Sequence, residues 1–510
     1  MASSKSSAKT ESDDTTTPLA APAAPEGRTL TQTTIRNAAL LLVQKGSQFI
    51  TAALFATIVP RLMGPDIFGR YALITSVLIW FGLLGGVSLV QTMSRFTPEF
   101  IVRGDTEGLK KLFGSLLVMR FFNASGAALL YFAFTSYWFP ELDRVTLMIV
   151  ASTIVIRSAE KLFFALFLGL NQANRWGMGD TINRWLSLFF VIGGFYGGGL
   201  RGACLGIGFG ELVLLLIAIS FARPYLTLSA FRLDRKYLMP YLRFGLSFFG
   251  SSLLFSLFQQ SGETLMRIVS SDYAQVGHYG LAFRIYFTVT ITMWQFGMAF
   301  SPLINTWKTQ GNDREIARCT ESLLKWMATG GVVIIMATAL MGADIAPFAF
   351  GSEYHPVARN LIPLTLALLP FALIIIGRML AFTYNRPGIA FQVAMLQFLC
   401  YLGLGIPLIQ EQGSFGGSLA VLIAISVSGL YFAVRIRQAL PFSLWQWGQP
   451  ILLGSFFAPL AWLRSSVWVN IACLIFFLLA YGSLLARFRV VTRGEVMRIS
   501  KAFRRVRVAT

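Results

Sequence analysis

Charge, histidine and cysteine are all scarce in this chain. Only 13% of its 510 residues are Asp, Glu, Lys or Arg, about half the share of a soluble globular protein. Its two histidines, His278 and His355, cannot between them supply a His-based metal or catalytic centre. The four cysteines, Cys204, Cys319, Cys400 and Cys473, are widely spaced and show neither a disulfide framework nor a metal-ligand pattern. No metal and no cofactor is therefore expected. A G-x-x-x-x-G-K-[ST] run is missing, which excludes a P-loop. Gly206, Gly208 and Gly210 lie in an apolar segment, where small residues serve helix packing. The short alternating segments of a membrane barrel are missing too. Loops on the weakly charged side run to about fifteen residues at most, leaving little room for a catalytic domain. The chain is not expected to be an enzyme.

What the chain has is apolar length. Fifty-five per cent of it is hydrophobic, the mean hydropathy is +0.64, and segments long enough to span a bilayer, about 20 residues as a helix, recur almost throughout. The expected fold is an all-α polytopic membrane protein with about 14 transmembrane helices. Spans are placed near 36–63, 68–94, 113–136, 145–170, 176–197 and 202–222, then near 242–269, 276–304, 322–342, 357–384, 388–408 and 416–438. A last pair follows near 447–463 and 466–486. Residues 1–34, rich in Ser, Thr, Ala and Pro, read as a disordered cytoplasmic tail without the apolar run of a signal peptide. The expected organisation is an N-lobe over 35–222, a cytoplasmic linker over 223–241 and a C-lobe over 242–438. The last two helices occupy 447–486 and a basic cytoplasmic tail 487–510.

The formal net charge of +20 is read as topology rather than as nucleic-acid binding, because it sorts by loop. One set holds Arg95, Arg103, Lys110, Lys111, Arg223, Arg235, Lys308, Arg314, Arg386 and the C-terminal arginines; the opposite set offers only Arg144, Arg201, Arg359 and Arg464. The positive-inside rule puts both termini in the cytoplasm, which requires an even number of spans. An internal repeat adds to this. Phe68-Gly69-Arg70-Tyr71-Ala72-Leu73 opens span two and Val276-Gly277-His278-Tyr279-Gly280-Leu281 opens span eight. A weaker echo links Leu200-Arg201-Gly202-Ala203 to Phe415-Gly416-Gly417-Ser418. Six spans separate the members of each pair, so the two halves share one orientation, as in parallel-repeat transporters.

Ionisable residues inside spans are costly and face protein or water. Arg157, Glu160 and Lys161 share one face of span four by their i, i+3, i+4 spacing. Arg157 and Arg284 lie nearest mid-depth, one in each half, with Lys45 and Arg378 nearer the cytoplasmic side. Asp180 with Arg184 and Glu263 with Arg267 are spaced as i, i+4 pairs, and Glu160 is expected to neutralise Lys161 or Arg157. An excess of positive charge remains, including one unpaired cation near Arg157 facing Arg284. Span one carries Gln44, Gln48 and Thr51 on one stripe, and span seven carries Ser252, Ser256, Gln259, Gln260 and Glu263. Such stripes are expected to line a wet cavity. Arg binds phosphate in bidentate fashion and Lys as a point charge, so this cavity suits a phosphate or pyrophosphate headgroup. Asp180, Glu211 and Glu263 are candidates for ion coupling.

Arg61-Leu62-Met63-Gly64-Pro65-Asp66-Ile67-Phe68-Gly69-Arg70-Tyr71-Ala72 resembles the first outside loop of the polysaccharide transporters. These are the O-antigen and exopolysaccharide lipid-linked oligosaccharide flippases of the multidrug/oligosaccharidyl-lipid/polysaccharide exporter superfamily. Val276-Gly277-His278-Tyr279 and Phe350-Gly351-Ser352-Glu353-Tyr354 are similar to that family's second-half markers, and the resemblance covers about residues 30–440. It implies two six-helix lobes facing a central cavity and alternating between inward-open and outward-open states. It implies undecaprenyl-pyrophosphate-linked oligosaccharide repeat units as substrate, moved to the periplasmic leaflet of the bacterial inner membrane. Membrane lipids, glycan polymerase and export proteins are the implied partners. Cavity cations meeting the pyrophosphate correspond here to Arg157, Arg284, Lys45, Lys161 and Arg378. Drug antiporters of the superfamily often carry an acidic site in the first helix, and span one has neither Asp nor Glu. Peptidoglycan-precursor flippases share the fourteen-helix layout, but their first loop runs into an Ala-Asp-Ala-Phe-like sequence where this chain has Phe68-Gly69-Arg70-Tyr71.

Overall fold

The computed structural model describes residues 30–86, 89–170, 172–227, 231, 235–488 and 490. The expected N-terminal tail up to residue 29 and the basic tail from 491 lie outside the described residues. All regular secondary structure among the described residues is helical: α1 (Leu30–Gly86), α2 (Leu89–Val102), α3 (Thr106–Trp138), α4 (Arg144–Gly169), α5 (Ala173–Ala222), α6 (Arg235–Ser270) and α7 (Tyr273–Met298). Then come α8 (Ser301–Thr309), α9 (Asp313–Phe350), α10 (His355–Leu366), α11 (Leu368–Thr383), α12 (Pro387–Arg437), α13 (Trp445–Ser455) and α14 (Val467–Arg487).

Three of these helices are too long for one crossing. The 51 residues of α12 would extend about 76 Å at 1.5 Å per residue, against a hydrocarbon core of about 30 Å. Each is broken at glycine: α1 at Gly64, α5 at Gly198 and Gly199, α12 at Gly413. Gly64, Gly199 and Gly413 take positive φ (71°, 57° and 57°), which a Cβ disfavours. Each long helix is thus two crossings joined with almost no loop. The arms of α5 close tightly, since a Cβ on Gly202 would overlap the Gly194 carbonyl oxygen and one on Gly206 would overlap that of Phe190. Glycine lets two helix backbones touch without side chains between them.

Among the described residues seven helices are long and apolar enough to cross a membrane, and the pair Ser352–Leu366 and Leu368–Thr383, bent by 43°, adds an eighth. Helices α4 and α6 are of spanning length but more polar: α4 carries Arg157, Glu160 and Lys161, and α6 carries paired glutamines with Glu263 and Arg267. With the arms of broken helices counted separately, and with α4, α6 and the α13 segment included, the chain makes fourteen crossings. The chain is a polytopic helical membrane protein. The last pair differs from expectation in one respect. Span thirteen is a short helix, α13, continued by a 3₁₀ segment, Ala458–Leu463. Both α13 and α14 pack on α9, through a cluster that includes Val332, Met336, Phe477 and Tyr481.

Helices α1, α3, α4 and α5 pack on one another, as do α6, α7 and α9–α12. The two groups meet mainly where α1 lies along α7. Three contacts fasten them at the end of the molecule that carries the glycine breaks. The Tyr354 hydroxyl donates to the Pro60 carbonyl (2.9 Å), and Arg61 reaches the Phe348 carbonyl (3.5 Å). From the other group, Glu141 accepts from Arg267 Nε (3.1 Å) and from the Tyr273 hydroxyl (2.6 Å). This corrects the expected Glu263–Arg267 pair. Arg267 turns to Glu141, in the turn after α3, because that carboxylate sits at the wet end of the bundle and Glu263 sits deep within it.

Candidate cation-lined cavity

Arg157 projects from α4 to the junction of two cavities. The larger, about 410 Å³, is lined by Arg157, Arg184, Glu211 and Arg284, with Phe68 and Tyr71 among its aromatic walls. The smaller, about 250 Å³, is lined by Arg157, Arg120, Lys161, Ser158 and Gln91. Both include Leu78 and Ile79 of α1. The helical spacing of Arg157 and Lys161 puts both toward this space. Lys161 shows how the wall is built: its side chain has exposed surface although protein surrounds it.

The charges are partly compensated. Arg157 Nε lies 3.4 Å from Glu211 Oε1, with the arginine side chain 30% accessible and the carboxylate only 4%. Glu211 rather than Glu160 is therefore the ion partner of Arg157. The sequence spacing offered Glu160 to either Lys161 or Arg157; the second arm of α5 folds back and delivers Glu211 to α4. Asn183 Nδ2 approaches the same Glu211 oxygen at 3.5 Å. Arg120, only 2% exposed, donates through Nε to Ser158 Oγ at 2.9 Å. Buried Glu160 lies within electrostatic reach of Arg120, Arg157 and Lys161. In this group three cations (Arg120, Arg157, Lys161) face two carboxylates (Glu160, Glu211).

Arg284 enters from α7. Its guanidinium donates to Thr75 Oγ1 (3.0 Å) and lies 5.2 Å and 5.8 Å from the ring centres of Phe68 and Tyr71. All three partners belong to α1, so this side chain bridges the two helix groups. Aromatic faces hold a guanidinium without neutralising it. Glu263, 4% exposed, acts electrostatically on Arg284 and packs near Gly280 and Ala72. The sequence places Arg157 and Arg284 in different halves; the structure brings them to the walls of one cavity.

Other candidates are placed elsewhere. Arg378 stacks on Phe255 (4.6 Å) and Trp294 (5.2 Å) and lines neither cavity. Gln44 packs against Gly177 of α5. Gln48, Gln259 and Gln260 are half-buried and line neither cavity. From the span-one stripe it is Thr51 that reaches the larger cavity. The side chains of Lys45, Asp180 and Ser252 lie outside the described residues. Sequence reasoning counted Arg120 in the excess of positive charge without placing it at the site, paired Arg184 with Asp180, and did not weigh Asn183, Phe68 or Tyr71 as lining. Their signal was present: Arg120 and Arg184 are cations in spans, and Phe68 and Tyr71 belong to the repeated motif. Among the described residues no group of three or more His, Cys, Asp or Glu could hold a metal.

A cavity of this size, walled by guanidinium groups, hydroxyls and aromatic faces, is suited to a polyanionic ligand with a polar body. The fold and cavity define a polytopic helical membrane protein with a cation-lined cavity between two helix groups. The family described as polysaccharide biosynthesis protein matches residues 34–306, more than half the chain, and the chain belongs to that family. No curated protein sequence matches it significantly. Among solved structures it is similar to the lipid II flippase MurJ in an inward closed conformation. The identity is 15% over 89% of this chain and 99% of that one, with a TM-score of 0.64. An inward-facing multidrug resistance MATE family transporter matches at 15% identity over 80% of this chain and 98% of that one, with a TM-score of 0.63. An outward-facing MATE transporter covers 81% and 97%, at 15% identity and a TM-score of 0.52. These likenesses show the fold.

Proposed function

We propose that the protein is a flippase that moves undecaprenyl-pyrophosphate-linked oligosaccharide repeat units from the cytoplasmic to the periplasmic leaflet of a bacterial inner membrane. It works by alternating access and supplies polysaccharide or O-antigen assembly. One observation carries the reading: Arg157 from α4 and Arg284 from α7 line the same cavity although they belong to different helix groups. A pyrophosphate held there contacts both groups at once, so its passage is tied to their relative motion.

In this reading the N-lobe (35–222) and the C-lobe (242–438) rock against each other while α13 and α14 ride on the C-lobe. Both termini and the basic loops are cytoplasmic, supported by the distribution of Lys and Arg. The fastened end, with Glu141–Arg267 and Tyr354–Pro60, is periplasmic. The headgroup enters from the cytoplasmic leaflet and is held by Arg157, Arg284 and Lys161, while the lipid tail stays in the bilayer. Glu211 and Glu263 serve ion coupling. The chemistry is binding and release, with no bond made or broken.

A second reading, a peptidoglycan lipid-precursor flippase, is favoured by the match to MurJ, which extends over 89% of this chain. Purified protein in liposomes, given fluorescent lipid-linked substrates with either glycan, separates the two. Faster translocation of the repeat-unit lipid is the expected result; transport of the peptidoglycan precursor alone overturns the first reading. Arg157→Ala and Arg284→Ala should each abolish translocation while the protein still reaches the membrane. Unchanged translocation in both would remove the cavity from the mechanism.

A further inference from the structure

The cavity contains its own competitor for the substrate. Glu211 sits behind Arg157 on the second arm of α5, almost fully buried, and meets the guanidinium at 3.4 Å by its Nε edge. The contact is loose: Arg157 Nε makes no hydrogen bond there, and Glu211 Oε2 is buried without a partner. A pair built for stability would be bidentate and saturated. This one leaves the arginine accessible to the cavity, with the carboxylate in the same wall but only 4% accessible.

Any anion that takes Arg157 from Glu211 must outweigh what it displaces. A phosphodiester headgroup brings one negative charge. Exchanging it for Glu211 conserves the charge on Arg157 and takes from a buried carboxylate its closest counter-charge, leaving the long contact to the Asn183 amide. Buried charge without a partner is strongly disfavoured. A disubstituted pyrophosphate brings two negative charges. Its second charge reaches the remaining cations, Lys161 and Arg120 in the smaller cavity or Arg284 across the larger one.

We infer that Glu211 is a charge filter: it occupies Arg157 in the empty cavity, so that dianionic pyrophosphate-linked carriers are admitted and monoanionic phosphodiester-linked carriers are rejected. The inference rests on the proposed flippase reading and gives Glu211 a specificity role beside the cations. The charged groups that bear on the filter are Arg157, Glu160 and Lys161 on α4, Arg120 on α3 and Arg284 from α7. Arg184, on the first arm of α5, lines the same cavity.

The test compares two soluble probes, octyl glucosyl phosphate and octyl glucosyl pyrophosphate, binding to the full-length chain in detergent. Wild type should prefer the pyrophosphate. Glu211→Gln keeps the shape and the Asn183 contact but removes the competing charge. It should tighten phosphate binding by about tenfold, the scale of one close charge pair, and shrink the ratio between probes. Glu211→Asp keeps the charge but withdraws it by one methylene, and should shrink the ratio part-way; it carries the test if the glutamine variant does not fold. An unchanged ratio in the folded variants overturns the filter. Arg157→Gln separates this from the parent reading: lost binding of both probes with an unchanged Glu211→Gln ratio removes only the filter. Undiminished binding in Arg157→Gln removes the cavity assignment itself.

Discussion

Gly69 and Gly277 lie back to back across the boundary between the two helix groups. A Cβ on Gly69 would come within 2.9 Å of the Gly277 nitrogen, and one on Gly277 within 3.3 Å of the Gly69 nitrogen. The relationship is reciprocal, and the residues occupy matching positions in the repeated motifs that open spans two and eight. Three residues further on, Ala72 and Gly280 meet in the same sense, so α1 and α7 run side by side in parallel. That is the geometry of a two-fold axis along the membrane normal, passing between the copies of the motif. Arg284 and Thr75 join just below this contact.

This seam should not tolerate a side chain. A Cβ on Gly277 would overlap the Pro65 carbonyl oxygen and one on Gly69 would overlap that of Tyr273; backbone cannot move aside as a side-chain tip can. Gly277→Ala should therefore cost about 1–3 kcal/mol, the usual range for overpacking. Gly126→Ala, where nothing lies within 4 Å, should be neutral. Thermal unfolding in detergent, followed by tryptophan fluorescence, measures both. Equal melting temperatures for Gly277→Ala and wild type would contradict the close approach.

The hairpin in α5 gives a parallel expectation. Gly202→Val would push the two arms apart at Gly194 and draw Glu211 away from Arg157. Lower thermal stability should be accompanied by a changed preference between phosphate and pyrophosphate probes. A loss of stability with the preference intact would separate the hairpin from the cavity.

The fastened end should respond to acid. Glu141 lies in the turn between α3 and α4, outside the membrane-spanning segments. Burial is the largest influence on its carboxyl and opposes ionisation, yet the Tyr273 hydroxyl, a backbone hydrogen bond and Arg267 together outweigh it and hold the carboxyl below its ordinary value. A depressed carboxyl stabilises the closed end fully above its unfolded-state value and ceases to do so as pH falls through the lower folded-state value. Spin labels at the exposed positions Tyr137 and Ile345 should move apart when samples are frozen below the carboxylate range. Glu141→Gln should remove that pH response. A wild-type distance that is the same at neutral and acid pH would show that Glu141 does not fasten this end.

Arg378 and Arg157 should behave differently. Arg378 is packed between Phe255 and Trp294, so Arg378→Gln should lower thermal stability yet keep pyrophosphate-probe affinity within about twofold, as for a substitution outside the contact region. Arg157→Gln should weaken the same probe by about tenfold or more. Similar losses in both would bring Arg378 into the binding region.

Much of this architecture was legible because the bilayer is a strict solvent. Unpaired backbone groups are intolerable in hydrocarbon, so long apolar segments could only be helices, and their number followed from segment length. The motif around Gly69 and its copy around Gly277 announced a repeat. The presence of charge in span four was equally legible, since Arg157, Glu160 and Lys161 stand out against an apolar background. Pairing was not. Helical spacing pointed Arg267 to Glu263 and left Glu160 to Lys161 or Arg157, because i, i+3 and i, i+4 neighbours are all a linear pattern can see.

Tertiary structure supplied partners from elsewhere in the chain. Arg267 found Glu141 across the boundary between helix groups, and Arg157 found Glu211 on the returning arm of α5. The sequence alone determined a fourteen-span helical membrane protein with an excess of buried positive charge. Only the folding of broken helices at Gly64, Gly199 and Gly413, and the close contact of Gly69 with Gly277, decided which charges share a cavity. The physical reason is that a charge in low dielectric is governed by whichever counter-charge lies nearest in space, and packing sets that distance.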